Sequence, residues 1–241
     1  MTSEKGVSCI IPAYNEEKHI RNVVGVCLKC TFIDEIIVVD DGSEDNTLSI
    51  LRQFGPAIRI ISFPQNRGKS YAMVAGIEAA QGDIIVFCDG DLLEIRESHL
   101  SGIVGPLKNN LADQVLAIRE TDLAPFKKLT GERGYFKKDL VEHTTRLENT
   151  KFGAETFLNH IFENKRTYCY LEPGLIQAGK RESGGMAAQI LCADEYLKAG
   201  YQILTELARQ KEPHQSKRLR RSLQALKKTY QQQMAIIRKL I

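Results

Sequence analysis

Four short runs rich in apolar residues, each followed by a polar loop and a helix-like segment, divide the first part of this 241-residue chain: 7–12, 34–40, 58–63 and 83–88. Apolar runs of this length, bounded by turn residues, are typical of buried strands. Strands that alternate with helices through short connections form a parallel sheet with helices on both faces. We therefore predict an α/β fold built on a mostly parallel, doubly wound sheet.

The fourth run ends in two carboxylates, Asp89 and Asp91, separated by Gly90. Ligands of open α/β sheets bind beyond the carboxyl ends of the strands, so this pair should lie in the ligand crevice. Mg²⁺ and Mn²⁺ prefer oxygen ligands and usually share their coordination between one or two protein carboxylates and substrate phosphates. The pair therefore indicates a metal site for a nucleotide diphosphate, although a polar turn with Gly90 as its bend also fits the pattern.

The other three predicted strands also end in polar side chains, which are Tyr14 and Glu16 after the first, Asp40 and Asp41 at the second, and Arg67 and Lys69 after the third. Carboxylates at the first two ends are suited to accept hydrogen bonds from a base or ribose, and the cationic end is suited to phosphate. The alternative is that strand ends are simply polar. We also expect Asn15 to cap the first helix.

Two common nucleotide-binding motifs do not fit. Lys69 and Ser70 follow Gly68, but a P-loop needs a glycine where Phe63 stands. The Gly-x-Gly-x-x-Gly fingerprint is also missing after the first run.

Composition and the first residues are ordinary for a soluble α/β protein of the cytosol. The chain is 43% hydrophobic with a net charge of +3, and no window is long and apolar enough for a membrane span. The start shows no leader pattern, so we expect a cytoplasmic protein. Of the six cysteines, Cys9, Cys88 and Cys169 fall in strand-like runs, where a thiol behaves as a small apolar group. The single Cys-x-x-Cys, at 27–30, has no partner at zinc spacing.

Four segments carry a resemblance to a known family. The segments VSCIIPAYNEE (7–17), IIVVDDGSEDNT (36–47), NRGK (66–69) and DGD (89–91) resemble, in order and spacing, the motifs of family 2 glycosyltransferases with the GT-A fold. The resemblance implies an inverting transferase that uses a UDP- or GDP-sugar with Mg²⁺ or Mn²⁺. It implies that Asp41, or Asp40, reads the base, that Asp89, Gly90 and Asp91 bind ribose and metal-diphosphate, and that the nucleoside pocket is lined by Pro12, Ala13, Tyr14 and Glu16.

The following segment, 111–183, is expected to select the acceptor. Its order of elements is similar to that of polyprenyl-phosphate sugar transferases resembling dolichol-phosphate mannosyltransferase, which implies that Arg119 and Arg133 face an acceptor phosphate. Both arginines are equally compatible with solvated surface positions. Many hydroxyl-accepting relatives carry Glu-Asp where this chain has Glu155-Thr156. A phosphate acceptor needs no base, whereas a hydroxyl acceptor does, and Glu155 is then the candidate.

The last segment, 184–241, is predicted to be a helical extension to a transferase domain at 1–183, whose nucleotide-sugar half is 1–110. Residues 211–241 carry nine Lys or Arg against Glu212 alone. This charge and an apolar stripe favour an anionic membrane surface, or packing on the domain or on a homodimer mate. Nucleic-acid binding is not expected, because no aromatic residues are interleaved with the charges. The rival functions are a sugar nucleotidyltransferase, a transferase for soluble hydroxyl acceptors, and a non-catalytic nucleotide-binding module.

Overall fold

The computed structural model describes residues 5–119, 130–150 and 153–172. The predicted C-terminal extension, 184–241, which contains the sixth cysteine, Cys192, lies outside the described residues. The strands are β1 (Val7–Ala13), β2 (Glu35–Asp40), β3 (Arg59–Ser62), β4 (Ile84–Phe87), β5 (Gln114–Arg119), β6 (Arg133–Phe136) and β7 (Thr167–Glu172). The α-helices are α1 (Ile20–Cys27), α2 (Thr47–Arg52), α3 (Lys69–Ala79), α4 (Glu97–Lys108), α5 (Lys137–Val141), α6 (Thr144–Glu148) and α7 (Ala154–Ile161). A 3₁₀ turn spans Gly55–Ala57.

The described strands form one sheet in the order β3-β2-β1-β4-β6-β5-β7. β6 pairs antiparallel with both β4 and β5, while β1, β2, β3 and β4 pair in parallel, as do β5 and β7. The predicted mostly parallel α/β sheet is confirmed. From β1 the chain moves outward to β3 and then returns to β4 on the other side of β1. The gap between β1 and β4 is therefore the switch point of the sheet, where ligands of such folds bind.

Helices cover both faces of the sheet. On one face, α1 and α4 pack on β1, β4 and β5 in a continuous core of aliphatic side chains. On the other face, α3 crosses β1 so closely that a Cβ on Gly76 would overlap the side chain of Ile10. This close packing fixes the start of α3, which carries Lys69, relative to the ends of β1 and β4.

The cysteines follow the prediction with one exception. Cys9, Cys27, Cys30 and Cys88 are buried in the core, and the sulfurs of Cys9 and Cys27 lie 3.9 Å apart. Cys169, by contrast, is exposed. It lies on β7, which is the edge strand of the described sheet. The strand-like sequence pattern suggested a covered side chain, and this was wrong for Cys169.

Candidate functional site

The loops that follow β1 and β2 are joined by reciprocal hydrogen bonds. Asn15, at a φ of 57°, donates its backbone N–H to Ser43 Oγ (2.9 Å), and its Oδ1 accepts the N–H of Glu44 (2.8 Å). The N–H of Glu16 donates to Thr47 Oγ1 (2.7 Å). The prediction that Asn15 caps the first helix is wrong, because α1 begins only at Ile20 and Asn15 bonds the neighbouring loop instead.

A second set of bonds continues this seam. Glu17 donates its N–H to Asp45 Oδ2 (3.1 Å), and its own Oε2 accepts the N–H of Asn46 (3.0 Å). Burial acts to raise the pKa of Asp45, but hydrogen bonds from the Thr47 side chain and from backbone N–H groups outweigh it, so the pKa is lowered. Much of the polar sequence at 43–47 therefore joins the loop after β2 to the loop after β1.

Asp40 and Asp41 are both buried, and they hold the end of β3 and the loop that follows it. The two oxygens of Asp41 accept the backbone N–H groups of Arg67 (2.9 Å) and Gly68 (2.7 Å). Asp40 accepts a hydrogen bond from the hydroxyl of Ser62 (3.0 Å). Gly68 has a φ of 101°, a backbone conformation that side chains disfavour, so a glycine is needed where the chain turns into α3.

Among the residues predicted to line the nucleoside pocket, Tyr14 is the most exposed, at 41%. Ala13 is buried and Pro12 is half-buried. The guanidinium of Arg67 stacks on the ring of Tyr71 at 3.2 Å from its centre, and Arg67 remains exposed. An exposed aromatic ring on one side and a cation on the other suit a base and a phosphate respectively.

Carboxyl groups converge where β1 and β4 end. A Cβ on Gly90 would lie 3.3 Å from the Cγ of Glu16, so these two ends are in contact. Burial, together with the charges of Asp91, Asp89 and Asp45, raises the pKa of Glu16 to about 8, although Lys69 acts in the opposite direction. Like charges held this closely are relieved when a cation binds between them.

This donor set fits a divalent cation that is completed by substrate. Within the described ranges, no group of three or more His, Cys, Asp or Glu side chains is arranged to hold a metal ion on its own. Mg²⁺ typically takes only one or two protein carboxylates and fills its remaining positions with phosphate oxygens and water. Asp89 and Asp91 are suited to that role.

Lys69 lies between Asp89, just beyond β4, and α7. Its ammonium contacts Asp89 Oδ1 at 2.7 Å and Glu155 Oε1 at 3.0 Å. Glu155 is in the first turn of α7 and is only 2% exposed. Its other oxygen, Oε2, is buried without a hydrogen-bond partner among the described residues. The sequence indicated Lys69 as a phosphate ligand but gave no sign of its contact with Glu155.

Arg133 lies in the interior. The side chain is 0% exposed and donates to the backbone carbonyl of Thr130 (2.9 and 2.6 Å), to Tyr135 Oη (3.0 Å) and to Asn159 Oδ1 (3.4 Å). The solvated-surface alternative is therefore wrong for Arg133, and its described contacts are with the protein itself. Arg119 ends β5, and its side chain lies outside the described residues.

Fold and site together define an α/β protein whose carboxylates gather at the switch point of its sheet. The family model described as Glycosyl transferase family 2 matches residues 8–163, and the chain belongs to this family. The predicted family is thus confirmed.

Curated relatives act on different acceptors. The chain is 37% identical over 101 residues to a dolichyl-phosphate beta-glucosyltransferase of Mus musculus, covering 36% of this chain and 31% of that one. It is 32% identical over 125 residues to an undecaprenyl-phosphate 4-deoxy-4-formamido-L-arabinose transferase of Pseudomonas fluorescens, covering 44% and 37%. It is 34% identical over 113 residues to a glucosyl-3-phosphoglycerate synthase of Petrotoga mobilis, covering 43% and 35%. Each match thus spans only about a third of the relative's length.

Solved structures confirm the GT-A fold. Glucosyl-3-phosphoglycerate synthase of Mycobacterium tuberculosis, in complex with Mn²⁺, UDP and glucosyl-3-phosphoglycerate, superposes with a TM-score of 0.67 at 21% identity, covering 83% of this chain and 80% of that one. The same enzyme with Mg²⁺ and UDP gives a TM-score of 0.60 at 22% identity, covering 78% and 79%. In the part of this chain that the structure describes, no helix is long and apolar enough to cross a membrane.

Proposed function

We propose that this chain transfers a sugar from a nucleotide-diphospho-sugar to an acceptor, with inversion at the anomeric carbon and with the help of Mg²⁺ or Mn²⁺. The observation that carries the proposal is the convergence of Glu16, Asp89, Asp91 and Lys69 at the switch point of the sheet. The complexes of the M. tuberculosis neighbour with UDP and Mn²⁺ or Mg²⁺ support it and favour UDP as the nucleotide.

The residues divide the work by their chemistry. Asp91, with Asp89, would hold the cation, which offsets the charge that develops on the departing diphosphate. Tyr14 offers an exposed ring for stacking on the base, and Arg67 offers a guanidinium for phosphate. Asp40 and Asp41 remain candidates for reading the base, since a carboxylate oxygen that accepts one hydrogen bond has capacity for another.

Two classes of acceptor are compatible with the structure, and a different observation supports each. A polyprenyl phosphate at a membrane surface is supported by Thr156, which cannot act as a base, and by the two lipid-phosphate relatives. A soluble hydroxyl compound is supported by the buried Oε2 of Glu155, which has no hydrogen-bond partner among the described residues and is suited to accept a proton. A peripheral membrane location and a homodimer both depend on residues 184–241 and remain predictions.

Calorimetric titration tests the donor half of this proposal. We expect UDP or GDP to bind in the presence of Mn²⁺ and to bind much more weakly in EDTA. A protein that binds neither nucleotide with Mn²⁺ would contradict the proposal. A protein that binds nucleotide but transfers no sugar would favour the non-catalytic nucleotide-binding module.

Transfer assays separate the acceptors. With UDP-glucose or a GDP-sugar as donor, undecaprenyl phosphate in mixed micelles is compared with 3-phosphoglycerate. Product from the lipid phosphate that persists in Glu155→Gln supports a phosphate acceptor. Product from the soluble compound that disappears in Glu155→Gln supports a hydroxyl acceptor.

A further inference from the structure

One ammonium group links two carboxylates that belong to different parts of the site. Lys69 Nζ is 2.7 Å from Asp89 Oδ1, just beyond β4, and 3.0 Å from Glu155 Oε1, on α7. The Lys69 side chain is 24% exposed, while those of Asp89 and Glu155 are 12% and 3% exposed. Both ion pairs are thus partly shielded from water. Charges interact more strongly in such a shielded place than at an exposed surface.

The backbone around Lys69 is held in place by Asp41, which follows β2. It is the first residue of α3, and the preceding Gly68 donates its N–H to Asp41 Oδ2 at 2.7 Å. Asp89 is enclosed from the other side, since a Cβ on Gly131 would overlap its carboxylate. The lysine therefore reaches Glu155 from a fixed starting point.

Lys69 is shared between two carboxylates. Its ammonium contacts both Asp89 and Glu155, and Glu155 Oε2 is buried without a hydrogen-bond partner among the described residues. Any group that competes for the ammonium, such as a diphosphate beside Asp89, must change how strongly Lys69 interacts with Glu155.

We propose that Lys69 is a positioning residue that couples the donor side of the site, through Asp89, to Glu155 on the acceptor side. This inference rests on the proposed function, because it takes the Asp89 side to be the nucleotide site. It assigns Lys69 a task beyond neutralising phosphate. Through Lys69, nucleotide binding and the strength of the Lys69–Glu155 ion pair depend on each other. Such linkage is reciprocal for binding free energies.

Urea unfolding of Lys69→Met, Glu155→Gln and the double variant tests whether the bridge exists. Lys69→Met should lower the urea midpoint, because it leaves the buried Glu155 without its cation. Glu155→Gln should lower it less, because Lys69 keeps its contact with Asp89. Adding Glu155→Gln to Lys69→Met should recover part of the loss, since it removes the carboxylate that lost its cation. Effects that simply add would overturn the proposal. Lys29→Met, at an exposed position just after α1, is the matched control and should leave the midpoint unchanged.

Calorimetry with UDP and with GDP, each with Mn²⁺, tests the coupling itself. Glu155→Gln should tighten nucleotide binding about fivefold, because Lys69 then serves the donor side alone. In the Lys69→Met background the same substitution should have no effect, because the group that links Glu155 to Asp89 is then missing. Lys69→Arg, which keeps the charge, should retain part of the coupling.

The two measurements separate the possible failures. If nucleotide binds but Glu155→Gln has the same effect in both backgrounds, Lys69 does not couple the two sides. If the parent protein binds neither nucleotide, the proposed function is contradicted, while the unfolding measurements still decide whether Lys69 bridges Asp89 and Glu155.

Discussion

The proposed donor side of the sheet, at the ends of β1 to β4, and the proposed acceptor side, formed by β5, β6, β7 and α7, bury charged groups in opposite ways. On the donor side, the anionic Asp41 accepts backbone N–H groups from Arg67 and Gly68. On the acceptor side, the cationic Arg133 donates to the backbone carbonyl of Thr130 and to Tyr135. In both places a charged side chain that the sequence indicated as a ligand of substrate satisfies backbone groups of a loop. A charged residue beside a site therefore has to be tested for stability as well as for binding.

Arg133 provides the strongest test of this comparison. Arg133→Met leaves the Thr130 carbonyl and the Tyr135 hydroxyl without their donor, so we expect the free energy of unfolding to fall by roughly 3 kcal/mol. Urea denaturation measures the loss, and Arg52→Met, at an exposed site on α2, is the control. If Arg133→Met retains full stability but loses transfer activity, Arg133 acts on the acceptor and the comparison breaks down.

Substitution of Asp91 tests the proposed metal site through nucleotide binding. It is half-buried and belongs to the carboxyl cluster, and Asp91→Ala should weaken Mn²⁺-dependent nucleotide binding by more than about 100-fold, because outer-shell partners alone are worth 10–100-fold. Calorimetry with UDP and Mn²⁺ gives the affinity. Asp83→Ala changes the same residue type at the exposed opposite end of β4 and should bind like the parent. Equal affinities of the two variants would remove Asp91 from the metal site.

Asp41 tests whether a donor-side carboxylate has two tasks. Asp41→Asn keeps one acceptor oxygen and turns an N–H group toward a backbone donor, so we expect a loss of roughly 2 kcal/mol in unfolding free energy together with weaker nucleotide binding. Denaturation and calorimetry on the same sample separate the two effects. A variant that binds weakly yet unfolds like the parent would restore Asp41 as a residue of the nucleotide alone. Asp83→Asn serves as the control for the amide substitution.

Glu16 predicts a smaller effect that depends on pH. Its pKa is about 8 in the folded protein against an ordinary value of 4.5, so the folded state holds a proton that the unfolded chain releases. The resulting stability is fully present below pH 4.5 and is lost as pH rises through 8. Partial exposure limits the slope to at most about 1 kcal/mol per pH unit.

Unfolding of the metal-free protein between pH 6 and 9 measures this contribution. Glu16→Gln should flatten the decline, because its side chain does not titrate. Parallel curves for the two proteins would mean that the cluster at the ends of β1 and β4 does not hold Glu16 protonated.

The sequence predicted the donor side well because its signals are local. Short apolar runs, each bounded by turn residues, located β1 to β4. The same pattern located the polar residues at the ends of these strands. β6 was not predicted as a strand. Its four residues include Arg133 and Gly134, which do not resemble a buried strand, yet they pair between β4 and β5.

The sequence by itself determined the family, the fold class and which strand ends carry polar groups, because each depends on residues close together in the chain. Only the tertiary structure decided which of these groups bond each other. Asp41 meets the loop before α3, Asn15 meets the loop after β2, and Lys69 meets Glu155. A buried polar group must find a partner, and partners that lie far away in the chain are selected by packing, which no local pattern records.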